Sequence, residues 1–355
     1  MKVLISTDTV GGVLTYTAEL ATALEAQGDE VVVATMGPRL SPEQRALLPS
    51  RVHEGEFLLE WMEDPWEEVA AAGSWLLGLE EEERPDVVHL CSYAHGALPF
   101  RAPKVIVAHS CILSWWRAVH GTEAPAEWDR YREEMAAGLA GVEAIVAPTE
   151  AMLRELEHDH ELPPDAATVI HNGSSAPLAP PRTEKRELVM GAGRFWDPAK
   201  NLTTLDAAAE GLSWPVVVAG DLGPEGRTQH AGSTGLLDPS ALAELRRGAS
   251  IYAAPAVYEP FGLGILEAAR DRCALVLGYI PSLRELWGGA AVFVQPRDER
   301  ALHDALEKVA SDRLLREELA ERALERATVY SIARTAAIYR GLYEQLVDCN
   351  EEVRV

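Results

Sequence analysis

Two glutamates bracket a glycine-rich turn in the stretch Val257-Tyr258-Glu259-Pro260-Phe261-Gly262-Leu263-Gly264-Ile265-Leu266-Glu267. Pro260 biases Glu259 away from helical backbone. Gly262 and Gly264 let a ligand come close to the main chain. From Ile265 the pattern turns helical. A turn that opens a helix presents N–H groups with no intrahelical acceptor at the positive end of the helix dipole, which suits an anion or a ring of hydroxyls. Glu267, just inside the helix, is placed where that dipole favours a carboxylate. A loop–helix join with a capping glutamate would use the same residues, so the stretch alone leaves structure and chemistry both open.

Other candidate groups follow strand ends. Ala192-Gly193-Arg194 is succeeded six residues later by Lys200-Asn201. Arg grips a pyrophosphate in bidentate fashion and Lys serves it as a point charge, although a surface Arg and Lys with no common task fit the same spacing. Gly11-Gly12-Val13 lies between a strand pattern and a helix pattern, a place that can hold a phosphate or can be glycine for turn geometry only. His109 follows the run Lys104 to Ala108 and is a hydrogen-bonding group, a general base, or a structural histidine. His158-Asp159-His160 looks metal-like, but neighbours on a helix do not face one ligand, and no metal site is expected. The sequence has no GxSxG elbow, no Walker GxxxxGK[ST] and no HExxH.

The elements that position these residues read as alternating strands and helices. Short apolar runs at 2–6, 30–35, 86–90, 104–108, 144–147 and 168–170 predict a first set of strands. Runs at 188–191, 216–219, 251–254, 275–277 and 291–294 predict a second. Helix patterns between them, such as Leu14 to Gln27 closed by Gly28, make βαβ units and imply parallel sheets. Residues 176–187 read as an interdomain linker, and residues 299–347 as helix throughout. The expected organisation is a domain over 1–175, a second over 188–330, and a C-terminal helix over 331–355 packing back on the first. Open sheets of this kind bind ligands at their carboxyl ends, and two such domains would face a cleft. In segment 54–83 the tryptophans Trp61, Trp66 and Trp75 are expected in local core, and Glu80-Glu81-Glu82-Glu83 as a solvated helix end.

Composition narrows the partners. The 355 residues carry a formal net charge of −24, which argues against nucleic acid and, less strongly, against an anionic membrane surface. Peripheral membrane contact is left open. Any phosphorylated ligand must be met by a few particular cations. Cys91, Cys111, Cys273 and Cys349 form no CxxC, and reduced thiols in a cytoplasm are the simplest account. No run approaches a membrane span, and Met1 to Ser6 already reads as a strand rather than a signal peptide.

Taken together the motifs resemble those of retaining glycosyltransferases of the GT-B fold, family four. Glu259 and Glu267, with seven residues between them, match the ExxxxxxxE signature. Gly11-Gly12-Val13 is similar to the family's N-terminal glycine loop. Val87-Val88-His89-Leu90, Val105 to Ser110, Ile145 to Ala151 and Val169 to Gly173 resemble its first domain. Gly193-Arg194 with Lys200-Asn201, Val218 to Asp221 and Ile280 to Glu285 resemble its second. The likeness covers nearly the whole chain in the family's order.

The resemblance implies two Rossmann-like domains, a C-terminal helical tail and transfer of a sugar from a nucleotide-diphosphate sugar, with UDP, GDP and ADP sugars all open, to an acceptor hydroxyl. No cofactor is implied. By the resemblance, Gly11 and Gly12 belong to the donor site, with the Gly12 N–H meeting the leaving diphosphate and Arg194 and Lys200 neutralising it. Glu267 would hold the ribose. Glu259, with the main-chain N–H groups of Phe261, Gly262 and Leu263, would bind donor-sugar hydroxyls, and His109 would hydrogen-bond that sugar near the reaction centre. Catalysis would then rest on His109, Glu259, Arg194 and Lys200 through positioning and charge. The family often has a glycine where this chain has Arg272, so Arg272 is expected in a backbone conformation that glycine takes more easily. Segment 54–83 and Ser114-Trp115-Trp116 carry least of the family's pattern, and Trp115 and Trp116 are the candidates for binding the acceptor, which is expected to be soluble. A glycosyl phosphorylase of the same fold, a silent sugar or nucleotide binder, and a NAD-linked dehydrogenase are the competing readings.

Overall fold

A computed structural model describes residues 1–180, 185–224 and 226–354, with side chains through Asn350. It divides into two compact units. The first comprises Met1–Arg117, Thr122–Gly173 and the chain from Ile332 onward; the second comprises Ala118–Gly121 and Ser174–Ser331.

In the first unit seven strands form one sheet: β1 Lys2–Asp8, β2 Glu30–Met36, β3 Val52–Glu54, β4 Val87–Leu90, β5 Lys104–Val107, β6 Ala144–Ala147 and β7 Ala167–Val169, in the order β3-β2-β1-β4-β5-β6-β7. All of its pairings are parallel. The central strands are covered on both faces; Val3, Leu4, Ile5, Val32, Val33, Val105 and Ile106 have at most a trace of exposed surface. That is why they read as continuous apolar runs and not as alternation.

The second unit repeats the plan with β8 Arg186–Ala192, β9 Val216–Ala219, β10 Gly232–Ser233, β11 Ala249–Ala254, β12 Ala274–Gly278 and β13 Ala291–Val294, ordered β10-β9-β8-β11-β12-β13 and again parallel. Two apolar clusters cover its faces, one around Tyr252, Leu266 and Trp287, the other around Leu205, Val218 and Leu306. The reading of two Rossmann-like parallel α/β units and a helical C-terminus describes the chain. Two of the four edge strands, β3 and β10, have no counterpart in the sequence pattern; three and two residues long, they hold no apolar run.

The sequence reading is corrected in two further places. Glu80 to Glu83 is not uniformly solvated. Glu80 and Glu83 are buried. Glu80 accepts the N–H groups of Arg101 and Ala102 at 2.7 and 2.8 Å. Glu83 is ringed by Lys2 Nζ at 2.8 Å, Arg51 Nη2 at 2.6 Å and His53 Nε2 at 2.8 Å. Nor are the three tryptophans core: each is partly exposed, Trp66 lying under the Arg130 guanidinium and Trp75 against Phe57.

The described part of the proline-rich stretch is stitched down. Ala179 donates to the Arg270 carbonyl at 2.8 Å, and Arg270 and Arg272 donate to the carbonyls of Ala176 and Ala179. Residues 181–184, the middle of the expected linker, lie outside the described residues. Arg272 does adopt left-handed backbone, with φ 63°. The helix Ile332–Arg354 belongs to the first unit, where Thr335 Oγ1 donates to the His171 carbonyl at 2.9 Å. No helix among the described residues is long and apolar enough to cross a membrane, and all four cysteines are free.

Candidate active site

The glycine turn of the second unit lies beyond the carboxyl end of β11. Gly262, with φ 86° and ψ 67°, caps the helix Leu263–Arg270 in left-handed backbone, a conformation costly for any residue with a Cβ. A Cβ there would also stand 2.9 Å from Ile265 Cδ1. The helix it opens has N–H groups at its start that no residue of the same helix can satisfy. Glu259 is fixed from two sides. Ser282 Oγ donates to its carbonyl at 2.6 Å, and Lys200 Nζ donates to its Oε2 at 2.6 Å. Both side chains of that pair are about four-fifths covered.

Lys200 reaches this point along a defined route. It ends the short turn Pro198–Lys200 after β8, capped by Asp197 accepting the Ala199 N–H at 2.9 Å. A Cβ on Gly193 would stand 3.7 Å from the Lys200 stem. Val257 donates to the Ala199 carbonyl at 2.9 Å, so the segment bearing Lys200 and the segment bearing Glu259 are hydrogen-bonded. Arg194 leaves the same strand end with its guanidinium 5.4 Å from the centre of the Trp196 ring. Phe261 is buried and meets Tyr330 edge-on, ring centres 5.7 Å apart.

Glu267 carries a partner that the sequence does not announce. Arg246 Nη1 donates to Glu267 Oε2 at 2.7 Å, and Arg246 Nε to Asp271 Oδ2 at 2.7 Å. Burial alone would lower the Arg246 pKa, but the two carboxylates outweigh it and hold the guanidinium charged. Asp271 is buried as well. In sequence Arg246 is one of two arginines closing the helix Pro239–Gly248, where cations suit the dipole anyway. Nothing in the sequence marks which of the two turns inward.

The first unit brings its candidates to the carboxyl ends of β1 and β5. Gly11, with φ 82° and ψ −143°, is the N-cap of the helix Gly12–Ala26, and both Gly11 and Gly12 are exposed. His109 follows β5. Its Nε2 is buried and has no hydrogen-bond partner among the described residues, which costs about 1–3 kcal/mol for a group left so. Burial pushes the imidazole down to about 3, so near neutral pH it is an uncharged hydrogen-bonding group. The general-base reading of His109 does not fit that value. Tyr16 stands edge-on to it, ring centres 4.3 Å apart and planes at 66°.

Trp115 and Trp116 are half-buried on the helix Ile112–His120, edge to face at 6.3 Å. Next to them Arg117 Nη1 binds Asp159 at 2.8 Å and Glu123 at 3.1 Å, and Nη2 binds Glu155 at 2.7 Å. Donor atoms of Glu123, His158 and Asp159 lie within 4.8 Å of one another, but the guanidinium already supplies the cation there.

A residue of the first unit that the sequence reading missed is Glu60. Its two oxygens accept the N–H of Tyr93 at 3.0 and 3.1 Å, and Oε2 that of Ala94 at 3.0 Å, beyond the end of β4. Burial, aided by the negative charges of Asp8 and Glu134, pushes its carboxyl up to about 7 against the pull of those N–H groups. No motif surrounds Glu60, and its significance depends on a loop folding over a strand end.

Comparison with known proteins identifies the family and the fold. The family model Glycosyltransferase Family 4 matches residues 10–175, and Glycosyl transferases group 1 matches residues 184–326. The chain is similar to D-inositol 3-phosphate glycosyltransferase of Corynebacterium glutamicum, 25% identical over 97% of this chain and 93% of the relative. It is also similar to glycogen synthase of Mycobacterium tuberculosis, 28% identical over 90% and 87%. Among solved structures it resembles sucrose-phosphate synthase from Thermosynechococcus elongatus (TM-score 0.80, 17% identity, 98% of this chain and 100% of that one). Anabaena HepE, solved in complex with UDP and glucose, superposes with a TM-score of 0.76 at 14% identity, over 97% of this chain and 100% of that one. One family model accounts for the unit that carries Gly12 and His109, the other for the unit that carries Lys200, Glu259 and Glu267, and the chain therefore belongs to family four of the glycosyltransferases, with the GT-B fold.

Proposed function

We propose that the protein transfers a hexosyl group from a nucleotide-diphosphate sugar to an acceptor hydroxyl with retention of anomeric configuration. The observation that carries this reading is the Lys200–Glu259 ion pair, 2.6 Å long, beside a glycine turn that opens a helix. Lys200 and Arg194 supply positive charge at a strand end in a chain of net charge −24, which suits a diphosphate leaving group. Glu259 and the N–H groups of Phe261, Gly262 and Leu263 suit sugar hydroxyls, and Glu267 suits the ribose. Gly11 and Gly12 offer a helix N-terminus for the phosphates, and His109 an uncharged imidazole for the sugar.

In the reaction the bond from the anomeric carbon to the diphosphate oxygen breaks. The acceptor oxygen bonds the same carbon from the same face, and its proton passes to a phosphate oxygen. Such a step asks the protein for position and charge rather than for a nucleophile. Trp115 and Trp116 are proposed for the acceptor. Residues 1–175 are proposed as the acceptor domain and 188–330 as the donor domain, with the helix over 331–355 packing back on the first, in a cytoplasmic enzyme.

Because HepE has been solved with UDP-glucose, that is the first donor to test. Thermal denaturation is run with UDP, GDP, ADP and TDP and with their sugars; a ligand at 100 times its Kd stabilises by about 2.7 kcal/mol. At least one nucleotide sugar raises the melting temperature and is turned over with release of its nucleoside diphosphate. A melting temperature unmoved by the whole panel would sink the donor assignment. Product needing inorganic phosphate as acceptor would point to a phosphorylase instead.

A further inference from the structure

His89 is buried completely in the middle of β4, facing Ile5 and Val105 across the parallel ladder. An imidazole in such a place needs a partner for each ring nitrogen. Both come from other elements of the first unit. Tyr343, on the C-terminal helix, stands with Oη 2.6 Å from His89 Nδ1. Tyr16, on the helix after β1, stands with Oη 3.4 Å from His89 Nε2. The ring of that same Tyr16 meets the ring of His109 edge-on at 4.3 Å, and His109 Nε2 is a buried atom with no hydrogen-bond partner among the described residues.

Burial keeps His89 neutral, its pKa pushed down to about 3, and raises both phenols well above their ordinary value. All three groups are therefore uncharged near neutral pH, and His89 has one N–H and one lone pair. The shorter contact suits the Tyr343 hydroxyl donating to Nδ1. The N–H then lies on Nε2 and donates to the Tyr16 oxygen.

We propose that Tyr343, acting through His89 and Tyr16, is a positioning residue for the His109 imidazole, so that the C-terminal helix takes part in setting the donor-sugar contact. The proposal rests on the reading of His109 as a group that touches the donor sugar. An imidazole at the end of a strand has freedom about both side-chain torsions, and a useful hydrogen bond needs it held within a narrow range of angles. The Tyr16 edge supplies one wall. Tyr16 in turn is oriented by its hydroxyl, and the hydroxyl's partner His89 is held in one tautomer by Tyr343. Plain core packing would place the same rings together but would not depend on the hydroxyls.

The experiment follows the imidazole signals of the full chain, labelled with 15N-histidine. In the wild type His89 shows a single Nε2–H tautomer. Tyr343→Phe removes one oxygen and keeps the ring. It is expected to give His89 a mixed tautomer and to move the His109 signals, while those of His95, held separately by Ser92 and the Val69 carbonyl, stay in place. Tyr16→Phe tests the same chain from its other end and serves if Tyr343→Phe does not fold.

With the donor identified by the thermal screen, Tyr343→Phe lowers kcat about 10-fold with little change in KM, the size typical of losing an outer-shell support. Unmoved His109 signals in both folded variants would overturn the proposal. If the signals move as expected but His109→Ala keeps full turnover, the relay stands and the role of His109 in transfer falls.

Discussion

Both units hold ion pairs where their strands begin, and the second unit adds a pair where they end. In the first, the dense cluster of ions sits where β1, β2 and β3 begin: Lys2, Glu30, Arg51 and His53 gather round the buried Glu83. In the second, Lys200 and Glu259 pair after strands end, while Arg246 binds Asp271 where β11 and β12 begin and reaches Glu267 on the helix after the glycine turn. After β5 the first unit instead presents an uncharged ring, His109, with Tyr16 edge-on to it. In open parallel sheets ligands bind at the carboxyl ends of strands. Ion pairs at amino ends therefore serve the fold, and the Lys200–Glu259 pair at the carboxyl end of the second unit is free to serve chemistry.

Removing Lys200 or Glu259 is the sharpest way to break this division. Lys200→Ala and Glu259→Ala should each lower kcat by about 100- to 1000-fold, the usual cost of one pre-oriented charge or donor, while circular dichroism reports an intact fold. Full turnover by both variants would remove the chemistry from the second unit's pair.

Glu83→Gln should do the reverse. Turnover per folded molecule at pH 7 stays the same, and stability to urea falls by about 2 kcal/mol, below the full cost of a buried pair because Arg51 is half-exposed. Burial by itself would raise the Glu83 pKa, but Lys2, His53 and Arg51 outweigh it and hold the carboxyl down to about 2. A depressed carboxyl gives stability that is complete above its ordinary value and is lost as pH falls toward 2. Glu83→Gln should therefore lack that part of the wild type's acid destabilisation. If the variant also loses activity at pH 7, the separation of the two ends fails.

Arg246→Met tests whether a charge behind the turn matters to the site. With Glu267 left oriented by fewer partners, KM for the nucleotide sugar is expected to rise about 10-fold with kcat nearly kept. A change confined to stability would assign Arg246 to the fold alone.

Glu60 offers the smallest effect and the opposite sign. Its folded pKa, about 7, lies above the ordinary carboxylate value. The folded state then binds more protons than the unfolded one between the two, and stability falls as pH rises through that window. Wild-type melting temperature should drop by about 2 °C for each kcal/mol lost between pH 5 and 7.5, and Glu60→Gln should flatten that slope. An unchanged slope would mean that the N–H groups of Tyr93 and Ala94 neutralise the carboxylate in full.

Much of the fold was legible because parallel strands covered on both faces leave unbroken apolar runs; Ala144–Ala147 and Val216–Ala219 were read to the residue. The edge strands β3 and β10 were not legible, because Val52-His53-Glu54 and Gly232-Ser233 form no apolar run. The buried state of Glu80 and Glu83 was hidden because a run of four acids has the same composition whether its neighbours are water or Lys2 and Arg51. Arg272 could be foreseen in left-handed backbone from the resemblance, since it stands where the family often has a glycine. Glu60, Arg246 and Tyr343 left no trace, because each matters only through a partner distant along the chain.

By itself the sequence determined the two parallel α/β units, the glycine turn between Glu259 and Glu267, and the cations Arg194 and Lys200, because periodicity and local spacing are properties of neighbouring residues. Only tertiary structure decided that Lys200 grips Glu259 across 59 positions, that Arg246 and not Arg247 holds Glu267, and that a tyrosine near the C-terminus answers a histidine buried in β4. Those choices depend on which side chains share an enclosed volume, where an unpaired polar group is costly, and that is settled only when the strands have paired and the helices have closed over them.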